Sequence, residues 1–332
     1  MKNLAVGHFY NEPFVAACEP FVPRISEVFF AWPGVISCRP APEFTDDVRA
    51  QLYNDLAWAR SRGILLDTLF NCNCYGDEAV SPQLKDLVLR TLDDMAAHDL
   101  APDIVTTTSP FVATVLRRHA PSVKIRLSVN MRVHGTTGLE CISELFDSFY
   151  VSREHHRDLA FLRHAAEWAR ANGKQLGLQV NSGCLRQCPF QTFHDNLHGH
   201  NRRAQSAVGR TMDFSVFRCR TNYQRGNWED FIRATWIRPE DVPAVEPFVD
   251  VVKLATRRIA NPSQIVAAYA NYSFDGNLLD LMDPVHSTVP NAPRFNNKAF
   301  PRDFFTTVSA CPNANNCLHC GRCATILQQV TH

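Results

Sequence analysis

The chain has 332 residues, enough for one large domain or two ordinary ones, and with 45% hydrophobic and 20% charged residues a substantial core is expected. A formal net charge of +1 gives no electrostatic footprint for nucleic acid, and no 18-residue apolar run exists to span a membrane. The opening segment MKNLAVGHFYNEPF has one Lys and reaches polar and Pro residues too early for a signal peptide, so a cytoplasmic protein is expected.

Short apolar runs alternate with helix-like segments. LAVGHF from residue 4 and ISEVFFAW (25–32) read as strands. Thr45 is a capping residue for a helix over 45–63, which carries apolar Leu52, Leu56 and Ala59 and stops at Gly63. GILLDTLFN (63–71) follows as a buried strand, then a helix over 82–100, the strand DIVTTTS (103–109) and a helix over 110–119. VKIRLSVN (123–130), a helix near 137–145, SFYVS (148–152), a helix over 155–172 and QLGLQVN (175–181) continue the pattern. VDVVKLA (249–255) comes late, before a helix over 262–273.

Alternation with short loops implies parallel strands joined by crossover helices. About eight such units fit an α/β protein of the (β/α)8-barrel type, with a doubly wound open sheet as the runner-up. The barrel is assigned residues 1–282, with an irregular insertion at about 190–235. Residues 283–332 carry Pro284, Pro290, Pro293, Pro301 and Pro312 and little periodicity. They read as a Cys-rich extension, too poor in apolar residues to hold itself without a metal staple.

Barrel active sites lie at the C-terminal strand ends, and those ends are polar here. Asn71, Asn130 and Asn181 each end a strand and offer mouth-facing amides. Arg132 and His134 follow Asn130; Arg153 and Glu154 follow SFYVS; Arg257 and Arg258 follow VVKLA, which contains Lys253. The Arg and Lys residues suit an anionic substrate, since guanidinium binds carboxylate or phosphate bidentately. The bland alternative is that Glu154 simply pairs with one of these arginines.

Twelve cysteines are many for a cytosolic chain, where grouped thiols read as metal ligands or catalytic groups. Cys311, Cys317, Cys320 and Cys323 are spaced Cys-x5-Cys-x2-Cys-x2-Cys, which suits a [4Fe-4S] cluster, with a four-cysteine zinc knot as the alternative. Cys184 and Cys188 lie in NSGCLRQCP, and Cys219 lies further on in the insertion. Three thiolates could hold a second cluster and leave one iron open to substrate; buried thiols with a zinc are the bland alternative. His194, His198 and His200 form His-x3-His-x-His, a metal pattern or a polar face, with His194 the substrate-contact candidate. Cys72 and Cys74 form a weaker redox pair, and Cys18 and Cys141 read as small buried apolar residues.

Several of these motifs, in order, line up with a known family. RLSVNMRVHG followed by ISELFDSFYVSREH, then GCLRQCPFQTFH, then IRPEDVPAVEPFVDVVKLATRR resemble the collagenase-like peptidase family (peptidase U32) over about residues 60–280. The resemblance implies a barrel and, by the family label, a peptidase. Many members look instead like iron–sulfur proteins of oxygen-independent hydroxylation acting on ubiquinone precursors or RNA bases, with prephenate implied as oxygen donor for some. In those, four cysteines hold one [4Fe-4S] cluster at the barrel mouth. Carried over by position, Cys184, Cys188 and Cys219 match that cysteine region, and Cys38 is similar to an early ligand. The Cys-x3-Cys-Pro spacing and the C-terminal cysteine run depart from the family's usual pattern.

The leading expectation is an iron–sulfur oxidoreductase with two [4Fe-4S] clusters, acting on a small molecule, cofactor precursor or peptide, a carboxylate such as prephenate among them. An electron-donor protein is its implied partner. A peptidase is the alternative, although neither Gly-x-Ser-x-Gly nor His-Glu-x-x-His occurs. A non-catalytic iron–sulfur partner subunit, or an RNA-modification protein, is the third reading.

Overall fold

The computed structural model describes residues 2–38, 42–199, 218–257, 259–312, 317 and 320–331. Eight parallel strands close into a barrel in sequence order. They are β1 Leu4–Gly7, β2 Ile25–Phe30, β3 Leu65–Phe70, β4 Ile104–Thr107, β5 Lys124–Leu127, β6 Ser148–Tyr150, β7 Gln175–Gln179 and β8 Val251–Leu254. β1 pairs with β8, Leu4 opposite Val252, which closes the ring. The expected (β/α)8 barrel is therefore the observed fold, and all eight strands fall where the apolar runs place them.

The described helices are α1 Phe14–Cys18, α2 Asp46–Ser61, α3 Pro82–Ala97, α4 Pro110–His119, α5 Thr136–Ile142 and α6 Leu159–Ala171, then α7 Gln191–Gly199, α8 Arg218–Gln224, α9 Glu229–Arg233, α10 Pro262–Ala270, α11 Phe304–Ser309 and α12 Arg322–Val330. The long crossover helices start on caps written into the sequence. Thr45, Ser81, Ser109 and Asp158 each accept a hydrogen bond from the backbone three residues on. No described helix is long and apolar enough to cross a membrane.

Two expectations need correcting. Where the insertion is described it is helical, as α7, α8 and α9. The C-terminal extension is not starved of apolar contacts either. Phe295, Phe300, Phe304, Phe305, Ile326 and Val330 are buried in the same cluster as the outward faces of the strands. The Phe304 ring stacks on Trp236 at 5.5 Å, and Phe231 packs against Trp236 at 5.0 Å and Phe295 at 4.9 Å. These anchors are spread through loops and short helices, so they show no periodicity in the chain. Cys18 is buried as expected, but Cys141 is exposed.

Strand residues alternate between the helix-facing core and the barrel interior. Ala5, Phe29, Leu69, Val129, Tyr150 and Val251 form a separate apolar cluster. Below it lie charges. The Arg126 guanidinium donates to both Glu27 carboxylate oxygens at 2.5 and 2.8 Å, to Ser148 Oγ at 2.9 Å and to Tyr150 OH at 3.3 Å. Asp67 lies 3.6 Å away and accepts from Thr106 Oγ1 at 2.7 Å; burial pushes its carboxyl up to about 6. Gly177 is required beside this network, because a Cβ there would stand 2.5 Å from the Tyr150 ring.

Such a pair contributes little net stability when intact, but removing one partner strands a buried charge. Glu27→Ala is expected to lower unfolding free energy by about 3–5 kcal/mol in urea titrations. A loss below about 1 kcal/mol, the value of an exposed pair, would contradict the buried network.

Candidate active site at the barrel mouth

Above the charged layer the barrel opens into a cavity of about 40 Å3 at the C-terminal strand ends. Lys253, on β8, reaches into it between two aromatic faces. Its Nζ lies 4.0 Å from the Phe29 ring centre and 4.6 Å from that of Tyr150. Burial pulls the amine down to about 8, against the opposing pull of Asp67. Gly7 makes room for this arrangement, since a Cβ would meet the Phe29 ring at 2.7 Å and Arg257 at 2.8 Å. Arg257 lines the same cavity, 5.8 Å from the Phe29 ring centre.

Arg153 is a third cation lining the mouth. It follows β6, is 7% exposed, and donates from Nη2 to Asn130 Oδ1 at 2.6 Å. Its Nε and Nη1 are buried and have no hydrogen-bond partner. An unsatisfied buried guanidinium is costly, so these donors are available to a ligand. Arg153 also lines two neighbouring cavities, one polar and open and one walled by cysteines.

The three strand-ending amides have different duties. Asn130 orients Arg153 and lines the mouth. Asn71 is engaged with Cys38: its Oδ1 accepts from the Cys38 backbone N–H at 3.1 Å and its Nδ2 faces Cys38 Sγ at 3.4 Å. Asn181 is corrected to a structural role. Its Nδ2 donates to Ala255 O and Leu281 O, both at 2.9 Å, and its Oδ1 accepts from Ala255 N–H at 2.8 Å. Its side chain is spent joining the β7 and β8 loops to the C-terminal segment.

Glu154 also braces a loop. It accepts from Gln187 N–H at 2.9 Å and sits 4.0 Å from Arg186, which is a different arginine from those expected. Arg132 adopts a left-handed conformation at φ 55° and donates to Thr192 Oγ1 at 2.7 Å. Arg132 and Glu154 both line the polar cavity, of about 540 Å3. Arg258 and His200 lie outside the described residues, as does the His198 side chain.

The cysteines fall into neighbouring cavities. Cys184 and Cys188 from one loop and Cys219 from a later helix line one of about 40 Å3 together with Arg153 and His194. Burial first, then the neighbouring Cys184, pushes the Cys219 thiol up to about 12. Cys38 is not among the residues lining this cavity; it lines the mouth cavity with Lys253. Cys311, Cys317, Cys320 and Cys323 share a larger cavity of about 240 Å3 with Cys188 and Arg157. As the side chains stand, the described residues contain no group of three or more His, Cys, Asp or Glu that could hold a metal ion. Cys72 is buried and its Sγ lies 2.9 Å from Cys74 O, so the two thiols do not form a disulfide.

Arg157 escaped the sequence reading. Buried at 6% exposure, it donates to Trp236 O at 2.7 Å and Ile232 O at 2.9 Å and lies 4.2 Å from the Trp236 ring centre. Burial lowers it to about 9, still cationic at neutral pH. The interior charges Glu27, Asp67 and Arg126 were missed too. Their signal was present: single charges inside otherwise apolar strands.

No family model matches the chain. An uncharacterized protease of Methanocaldococcus jannaschii is 26% identical over 263 residues, covering 73% of this chain and 73% of that protein. The solved structure of a U32 peptidase superposes with a TM-score of 0.54 at 16% identity, over 76% of this chain and 92% of that one. The structural match carries the barrel fold, and the two together bear out the resemblance to the peptidase U32 family.

Asn181→Ala is expected to lower unfolding free energy by about 2 kcal/mol or more, because several buried backbone groups lose their partner at once. An unchanged chemical-denaturation midpoint would instead mean that the amide is free to serve a ligand.

Proposed function

We propose that this chain is a barrel enzyme of the U32 type that carries out iron–sulfur redox chemistry on an anionic small molecule or peptide at the mouth. The single observation that supports this most is the placement of Cys184, Cys188 and Cys219 on one cavity wall that shares Arg153 with the mouth. Arg153 brings two unpartnered donors to that boundary.

The donor chemistry fits a cluster at each cysteine group. Three cysteines line one cavity and five line the next, Cys188 being counted in both. Because the sulfurs are not gathered as a ligand set, binding would draw them inward from these shared walls. Cys184, Cys188 and Cys219 would hold one [4Fe-4S] cluster. Cys311, Cys317, Cys320 and Cys323 would hold a second, with zinc as the other fit for four thiolates. When bound, such a cluster supplies single electrons or an open Lewis-acidic iron. An electron-donor protein is the implied partner.

The chain's own residues bind and orient. Arg153, with Asn130 fixing its rotamer, would hold a carboxylate, and Lys253 and Arg257, on β8 and just after it, add positive charge to the same cavity. Phe29 and Tyr150 exclude water beside the Lys253 amine. The polar cavity lined by Arg132 and Glu154 shares Arg153 with the mouth and suits the rest of a substrate. The names of the relatives favour a second reading, a peptidase using this same mouth.

Anaerobic reconstitution separates the readings. The expected product is brown, absorbs near 400 nm and holds about eight irons per chain, two clusters of four. Cys320→Ala and Cys219→Ala should each lose about half of that iron, from different clusters. A colourless chain that cleaves peptides in air with chelator present would sink the redox reading. Zinc lost only in Cys320→Ala would reassign the C-terminal site.

A further inference from the structure

Lys253 is an anomaly in the mouth. It is 6% exposed and lies between the faces of Phe29 and Tyr150. Among the described residues no carboxylate lies within ion-pair distance of its Nζ; Arg126 takes the carboxylate of Glu27 and stands nearer Asp67. A lysine kept only to complete an ion pair would have its acid beside it. A buried lysine held between two aromatic faces and near other cations has the setting of an amine nucleophile.

The rest of the cavity indicates what the amine would meet. Arg153 lines it with two unpartnered buried donors, a fit for a carboxylate. Gln179 and Asn130 line it as well and can hydrogen-bond a hydroxyl. At about 40 Å3 the cavity holds the equivalent of a few waters, which suits a small molecule.

We propose that Lys253 forms a Schiff base with an oxo acid whose carboxylate rests on Arg153. This rests on the reading of the mouth as an anion site, and deepens it by naming the substrate class and the covalent bond. The Lys253 nitrogen adds to the carbonyl carbon, forming a C–N bond, and the carbonyl oxygen takes a proton to become a hydroxyl. That hydroxyl leaves as water with a second proton, and C=N forms as an iminium. In sum, one ammonium and one carbonyl give one iminium and one water; no oxidant or reductant is consumed. The iminium would then draw electrons from the adjacent carbon, activating the bound acid for the chemistry of the mouth.

The test uses the full chain, pyruvate as probe and cyanoborohydride, which reduces imines to stable amines. The expected result, by peptide mass mapping of the wild-type protein, is a reduced adduct on Lys253 well ahead of exposed lysines such as Lys124. Arg153→Met should slow that labelling about tenfold or more, the effect of losing a charge-assisted hydrogen bond. Lys253→Arg should abolish the adduct while keeping pyruvate-induced thermal stabilisation. Stabilisation by pyruvate that is lost in Arg153→Met, with no adduct on Lys253, would overturn the Schiff base and leave the anion site standing. Neither stabilisation nor adduct would overturn both. Equal labelling of all lysines would show solution chemistry only and also reject the proposal.

Discussion

The buried guanidinium of Arg126 holds the barrel's interior together. Parallel barrels are usually filled by branched apolar side chains. Here β2, β3 and β5 each bring a charge inward instead, and Arg126 is the group that makes Glu27 and Asp67 tolerable together. Its contact with Tyr150 OH fixes that ring against Gly177, and the ring face then forms one side of the Lys253 slot. The mouth is thus positioned from below by electrostatics as well as from the sides by strand packing. Interior polar layers of this kind are expensive to bury and cannot be removed one member at a time.

Much of the fold was legible because its signals are local. Strand runs such as ILLDTLF and QLGLQVN are short, apolar and bounded, and the caps at Thr45 and Ser81 mark helix starts through a single hydrogen bond each. α1 was not legible: five residues carry too little periodicity to register. α11 and α12 were hidden for another reason. The Trp236 ring holds α11 through Phe304, and α12 packs against α9 and buries Ile326 and Val330, so their stability lies in tertiary contacts that no local window contains.

The candidate site was legible by residue type and less so by duty. Arg153, Lys253 and Arg257 were read as cations at strand ends and do line the mouth. Asn181 was read by the same rule, yet its amide is consumed by backbone groups of two other segments. Glu154 faces Arg186, only 32 residues on but in a loop whose path the sequence does not specify. Position at a strand end predicts proximity to the mouth. It does not predict whether backbone groups will claim the side chain first.

Cys188 joins the two cysteine groups in a way spacing alone could not show. Its loop is held by Glu154 through Gln187, and its side chain lines both the cavity of Cys184 and Cys219 and that of the C-terminal cysteines. Arg157 stands on the second cavity with its Nη2 buried and unpartnered, while its other nitrogens are spent on Trp236 and Ile232 carbonyls. A buried cation with one open donor is best compensated by negative charge beside it; Asp241 exerts the largest such pull on Arg157, Cys323 adds to it, and Asp230 lines the same cavity. The same aromatic cluster that anchors the C-terminal segment therefore also fixes the cation that faces its cysteines. Packing and charge compensation there depend on one tryptophan, Trp236, whose ring carries both Phe304 and Arg157.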